Sequence, residues 1–187
     1  VLFGDVDPSG KLPFTFPKSL SDAPAQMNGS FPGKNDTTEY KEGILVGYRW
    51  YDTKHIQPLF PFGYGLSYTT FKYADFKTDK KTYSQDDTIY VSVAIKNTGS
   101  RSGKETVQLY VHAVHPSVLM ADKELKAFSK ILLEPGQQKT VQLPVAVKYL
   151  AYYDEKENKW VVLPGKYLME IGSSSGDIRG SVPVTVQ

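Results

Sequence analysis

The sequence predicts a mainly β protein, an immunoglobulin-like antiparallel β-sandwich preceded by an extended segment rich in proline and aromatic residues. Three observations carry this reading. From about residue 70 onward, apolar residues alternate with polar ones, as strands with one buried face require. Clear turn signals separate these runs. The prolines, by contrast, crowd the first third of the chain: Pro8, Pro13, Pro17, Pro24, Pro32, Pro58 and Pro61 are seven of the twelve. A stretch so populated cannot supply long helices or central strands.

In chain order, Leu12-Pro13-Phe14-Thr15-Phe16-Pro17 reads as one short extended piece. Residues 19–42 are polar and turn-rich, an exposed loop with little structure of its own. Two N-x-S/T sequons fall there, at Asn28 and Asn35, and they matter only in a eukaryotic secretory host. Residues 48–76 hold ten of the 24 aromatic side chains. Glycines at 43, 47, 63 and 65 break any helical period there. A segment so apolar and irregular must lie against something, and it is expected to cover the sandwich that follows, a missing domain, or both.

The strand runs follow. Ile89, Val91, Val93 and Ile95 form the first inward set. Val107, Leu109 and Val111 form the second and alternate with Gln108, Tyr110 and His112, which read as the polar face. Val141, Leu143 and Val145, then Tyr167, Met169 and Ile171, then Val182, Val184 and Val186 complete the pattern. Turns are expected at Asn97–Ser100, Glu134–Gln137, Leu163–Lys166 and Ser173–Gly176, with Gly136 and Gly165 in the positive-φ position of type II turns. About seven strands in this spacing make a sandwich.

Composition narrows the function classes. A net charge of +2 without a dense Lys/Arg block leaves no electrostatic footprint for nucleic acid or a membrane surface. No apolar run approaches the roughly 20 residues that cross a bilayer. Without cysteine there is no disulfide framework, zinc knuckle or thiol nucleophile. The opening Val1-Leu2-Phe3-Gly4 has no initiator Met and no basic leader, which leads us to expect a processed or excised fragment. Gly4 to Leu12 is one residue too long for a phosphate-binding loop and lacks its Ser/Thr. Asp5-x-Asp7-x-Ser9-Gly10 opens like a calcium loop, but Phe16 stands where the bidentate Glu belongs. His55, His112 and His115 lack ligand spacing. No metal and no cofactor is expected.

The run Gly4-Asp5-Val6-Asp7-Pro8-Ser9-Gly10-Lys11-Leu12-Pro13-Phe14-Thr15-Phe16-Pro17 resembles the closing segment of the α/β-sandwich domain of family 3 glycoside hydrolases. Glu42–Asp52 followed by Pro61–Tyr68 is similar to that family's linker. Leu125–Phe128, Leu133–Gly136, Tyr153-Asp154 and Trp160–Gly165 resemble its fibronectin type III-like domain. The resemblance implies three parts: residues 1–18 ending the α/β domain, 19–69 a loop and aromatic linker, and 70–187 the fibronectin type III-like domain.

It also implies a retaining β-glucosidase-type parent using two carboxyl groups. Its nucleophilic Asp would sit in an N-terminal barrel and its acid/base Glu upstream in the α/β domain. Neither motif occurs here, so no catalytic residue is assigned to this chain and the chain alone is expected to be inactive. The expected partners are those barrel and α/β domains and, through the parent, β-glucosides, with neither nucleic acid nor membrane. The residues do not settle the compartment, and a secreted or periplasmic location is favoured over a cytoplasmic one. Tyr48, Arg49, Trp50, Tyr51, Asp52, Phe62 and Tyr64 form the candidate site, read either as a domain interface or as a sugar platform. Arg49 is expected to pair with Asp52 or another carboxylate. The alternative is a free-standing carbohydrate-binding module, with Trp50, Tyr51 and Trp160 as platforms, or a structural adhesion-type sandwich.

Overall fold

A computed structural model describes residues 1–187. Ten strands form: β1 (Phe71–Thr78), β2 (Thr82–Tyr83), β3 (Thr88–Asn97), β4 (Gly103–Ala113), β5 (Glu124–Leu133), β6 (Gln138–Ala146), β7 (Tyr152–Asp154), β8 (Lys159–Val161), β9 (Gly165–Ser174) and β10 (Asp177–Val186). Seven of them are eight residues or longer; β3, β4, β6, β9 and β10 are the ones legible as alternation, while β1 and β5 are not among the runs read from the sequence. They divide into a three-stranded sheet, β1-β3-β6, and a five-stranded sheet, β2-β10-β9-β4-β5. Every pairing is antiparallel except β10 with β2, and β7-β8 stands apart as a hairpin.

The inward sets meet between the sheets. Ile89, Val91, Val93 and Ile95 oppose Val107, Leu109, Met169 and Ile171 in one core of fully buried side chains. Register explains why the set is continuous: Val91 pairs with Leu143 and Val93 with Val141, while Leu109 pairs with Ile171 and Val111 with Met169. Period two then sends each of these neighbours to the same side. Tyr167 adds a tyrosine corner, its hydroxyl donating to Leu163 O at 2.7 Å. Gly136 takes φ 75, as a type II turn demands. Gly165 does not: at φ 151 it is too extended for that turn and opens β9 instead.

Asn97, read from sequence as a turn residue, is a buried hub. Its Nδ2 donates to Arg101 O and Leu133 O, and its Oδ1 accepts from Thr69 Oγ1 and Gly99 N. One side chain thereby ties the entry to β1, the β3–β4 turn and the end of β5.

The first 69 residues contain two short helices, α1 (Pro24–Met27) and α2 (Tyr48–Thr53). The glycine pattern argued against a helix at α2. It forms because Gly47, at φ 61, turns the chain into only six helical residues before Lys54 ends them. Leu12–Phe16 pairs with residues 59–64 through Phe16 N to Phe60 O at 2.9 Å and Leu12 N to Tyr64 O at 2.8 Å.

Asn97→Ala should cost about 3 kcal/mol, because it strands four hydrogen-bond partners, of which Thr69 and Leu133 are buried. Urea unfolding checks this, and a loss near zero would show that the hub is dispensable.

Candidate interface between the linker and the sandwich

Residues of β4 that point away from the core should meet solvent. Instead Gln108 is 3% and Tyr110 0% exposed, and Thr106 is buried beside them. The cover is the aromatic linker. Tyr48 on α2 stacks on Phe62 with ring centroids 4.6 Å apart and meets Tyr110 edge-on at 6.0 Å. Tyr110 donates its hydroxyl hydrogen to Gln108 Oε1 at 2.6 Å. Gln108 Nε2 in turn donates to Gly63 O at 3.1 Å and Ser173 O at 2.6 Å. Position 63 must be glycine: its φ is 79, and a Cβ there would collide with the Gln108 amide. Two backbone donors of the sandwich also find linker acceptors, Leu125 N on Tyr48 Oη at 2.8 Å and Ser175 N on Phe62 O at 2.9 Å.

The other face of α2 forms a small core of its own. Trp50 and Tyr51, each 5% exposed, pack with Leu45 and against Ile56 and Ala121. They present no open ring face. Full burial of such side chains contributes about 1.5–3 kcal/mol each. Trp160, by contrast, is 70% exposed on β8, edge-on to Tyr153 at 5.5 Å and remote in sequence from the linker. Tyr64 packs on Phe60 at 5.2 Å, in the strip that pairs with Leu12–Phe16.

Charges fix the helix in place. Arg49 pairs with Glu124 rather than Asp52: its Nε lies 2.8 Å from Oε1, a charge contact whose N–H is not aligned for a hydrogen bond. Lys126 reaches the other oxygen of Glu124 at 2.9 Å. Asp52 lies 3.6 Å from Lys123, which also contacts Asp122 at 3.1 Å. Asp122 N donates to Thr53 Oγ1, and His112 Nδ1 sits against Asp122 O. His112 is therefore part of this cluster and not a plain surface residue.

Burial pushes the Asp52 carboxyl up to about 6, with Lys123 pulling it down and Asp122 pushing it up. Burial likewise raises Glu170 nearby, against Lys123 and His112. Burial acts upward on Glu124 too, but Lys126 and Arg49 outweigh it and hold that group below its ordinary value. The arrangement binds one segment to another. Among the charged groups it uses, none is set out as a metal site.

Of the residues singled out from sequence, Tyr48, Arg49, Trp50, Tyr51, Asp52, Phe62 and Tyr64 all fall in this linker layer. Gln108, Tyr110, Glu124 and Lys123 were missed on the sandwich side. Their only signal was a strand whose outward positions carry large side chains, and that pattern does not reveal a cover.

Comparison with known proteins places this geometry. Residues 1–68 match the Glycosyl hydrolase family 3 C-terminal domain and residues 105–175 a Fibronectin type III-like domain. The chain is 54% identical over 178 residues to thermostable beta-glucosidase B of Acetivibrio thermocellus, covering 95% of this chain and 23% of that one. It is 52% identical to a beta-glucosidase of Bacteroides ovatus, covering 97% of this chain and 25% of the relative. Among solved structures, the family 3 beta-glucosidase of Bifidobacterium adolescentis superposes over 100% of this chain and 27% of its own, with a TM-score of 0.92 and 37% identity. The chain thus spans about a quarter of the length of these relatives, in which the matched stretch is part of one longer polypeptide.

Stability should be highest at about pH 4–4.5 and fall from there to about pH 6. Asp52, whose folded value lies above its unfolded one, contributes fully below about pH 4 and loses that contribution as pH rises through 6. Glu124, held low, contributes above its ordinary range and loses that as pH falls. Thermal unfolding against pH checks this. Asp52→Asn should flatten the alkaline limb, and an unchanged limb would remove Asp52 from the account. By the matched segments, the identities and the superposition, the chain belongs to glycoside hydrolase family 3, of which it carries the C-terminal part.

Proposed function

We propose that this chain is the C-terminal structural part of a β-glucosidase-type enzyme and braces that enzyme's catalytic domains, without hydrolysing glycosides by itself. One observation carries the reading. Of 23 large apolar side chains that stand exposed, 16 lie in the first 68 residues. Phe14, Phe16 and Phe60 form a ring row on that surface, with centroids 4.6 and 6.1 Å apart. Exposed apolar surface so concentrated marks a contact area. It lies on the segment that matches the family's C-terminal domain, residues 1–68.

In this reading Tyr48, Arg49, Trp50, Tyr51, Asp52, Phe62 and Tyr64 serve as an interface between parts of one enzyme, with residues 1–18 and 19–69 as connectors. The substrates would be β-glucosides, through the parent. A free-standing carbohydrate-binding module is the second reading, favoured by the exposed Trp160 and Tyr153 pair alone.

Incubating the purified chain with an aryl β-glucoside tests the proposal. No release above the buffer rate is expected, whereas turnover of the usual enzymatic order, about 1–10³ s⁻¹, would refute it.

A further inference from the structure

The sandwich stays open at one edge, where Phe71 and Tyr73 of β1 face Glu105 of β4. Between Lys11, the strip from Tyr64 to Thr70 and the β9–β10 turn lies a cleft of about 460 Å³. That size falls within the roughly 300–1,000 Å³ of small-molecule sites. Glu105 of β4 lines it, with a side chain only 6% exposed. Tyr73 donates its hydroxyl hydrogen to Glu105 Oε1 at 2.6 Å, and Lys11 Nζ stands 4.0 Å from the same oxygen. No protein hydrogen bond reaches Oε2.

That oxygen keeps contact with solvent in the cleft, where it is free to accept a hydrogen bond from a ligand. Lys11 makes no protein hydrogen bond either, and its ammonium carries three donors. Gly65 allows Lys11 to lie there, since a Cβ would come within 2.8 Å of Lys11 Cδ. Across the cleft, Arg179 donates to Asp177 Oδ2 at 2.6 Å and lies over the Tyr73 ring at 5.8 Å.

We propose that this cleft binds a neutral polyhydroxylated ligand of pyranose size, whose hydroxyls donate to Glu105 and accept from Lys11 and Arg179. Two cations and two carboxylates cancel, so a charged ligand gains no net attraction. A hydroxyl is donor and acceptor at once and fits such an alternating array. The Tyr64 and Phe71 rings give the walls apolar patches for the C–H faces of a sugar. The site is separate from the bracing role and stands without it.

Saturation-transfer NMR on the whole chain, with D-glucose, cellobiose, glucuronate and glucosamine as probes, tests this. The neutral sugars should bind with a dissociation constant of the order of a few mM, and the charged ones no more tightly. Glu105→Gln and Lys11→Met should each weaken binding about tenfold, whereas Trp160→Ala should leave it unchanged. If Glu105→Gln disturbs folding by circular dichroism, Lys11→Met on the linker side decides. Absence of saturable transfer up to about 100 mM would overturn the proposal. So would unchanged affinity in Lys11→Met, or loss of binding in Trp160→Ala.

Discussion

The structure depends on the cover that the linker gives to the outer face of β4. A strand in a two-sheet sandwich ordinarily has one wet side, and its polar groups there are satisfied by water. Here Gln108 and Tyr110 are taken out of water, so each polar atom must find a protein partner. Gln108 does so with its amide hydrogens on Gly63 O and Ser173 O and its oxygen accepting from Tyr110. Removing the linker would strand one amide hydrogen of Gln108 and the backbone amides of Leu125 and Ser175, and would leave the Tyr110 ring without its aromatic neighbour. The sandwich and the linker are therefore one folding unit in energetic terms, despite their different sequence character.

The ionic contacts act on top of this. Arg49 with Glu124, and Asp52 with Lys123, hold the two ends of a six-residue helix that is too short to be stable alone. Their geometry is partly buried, and the net stabilisation of such pairs is small because desolvation offsets attraction. What they supply is position: the helix can dock in only one orientation on the start of β5. Lys11 and Glu105 do the same at the other end of the strip. Held beside Lys11 at one end, the segment from Leu12 to Phe16 presents its ring row outward.

Much of this was legible in the sequence, and the physical reason is local. Alternation at Val91, Val93, Val107, Leu109, Val141 and Met169 reports one buried face directly, because side-chain direction in a strand depends only on residue parity. The aromatic run from Tyr48 to Phe62 announced that it needed a surface. Which surface was not legible, since Gln108 and Tyr110 look the same to the eye whether they face water or a linker. Arg49 could have paired with Asp52 three residues on, yet its partner Glu124 is brought near only by tertiary folding. Asn97 carries turn chemistry in its sequence context, and its role as a hub rests on contacts with Thr69 and Leu133 far along the chain.

Amide hydrogen exchange at Leu125 and Ser175 tests the interlock most directly, because each of these donors has its acceptor in the linker. The account predicts protection comparable to that of the core amides of β4 and β9. Exchange at the rate of an open chain at both positions, with β4 and β9 still protected, would mean that the sandwich stands alone and the linker is not its cover.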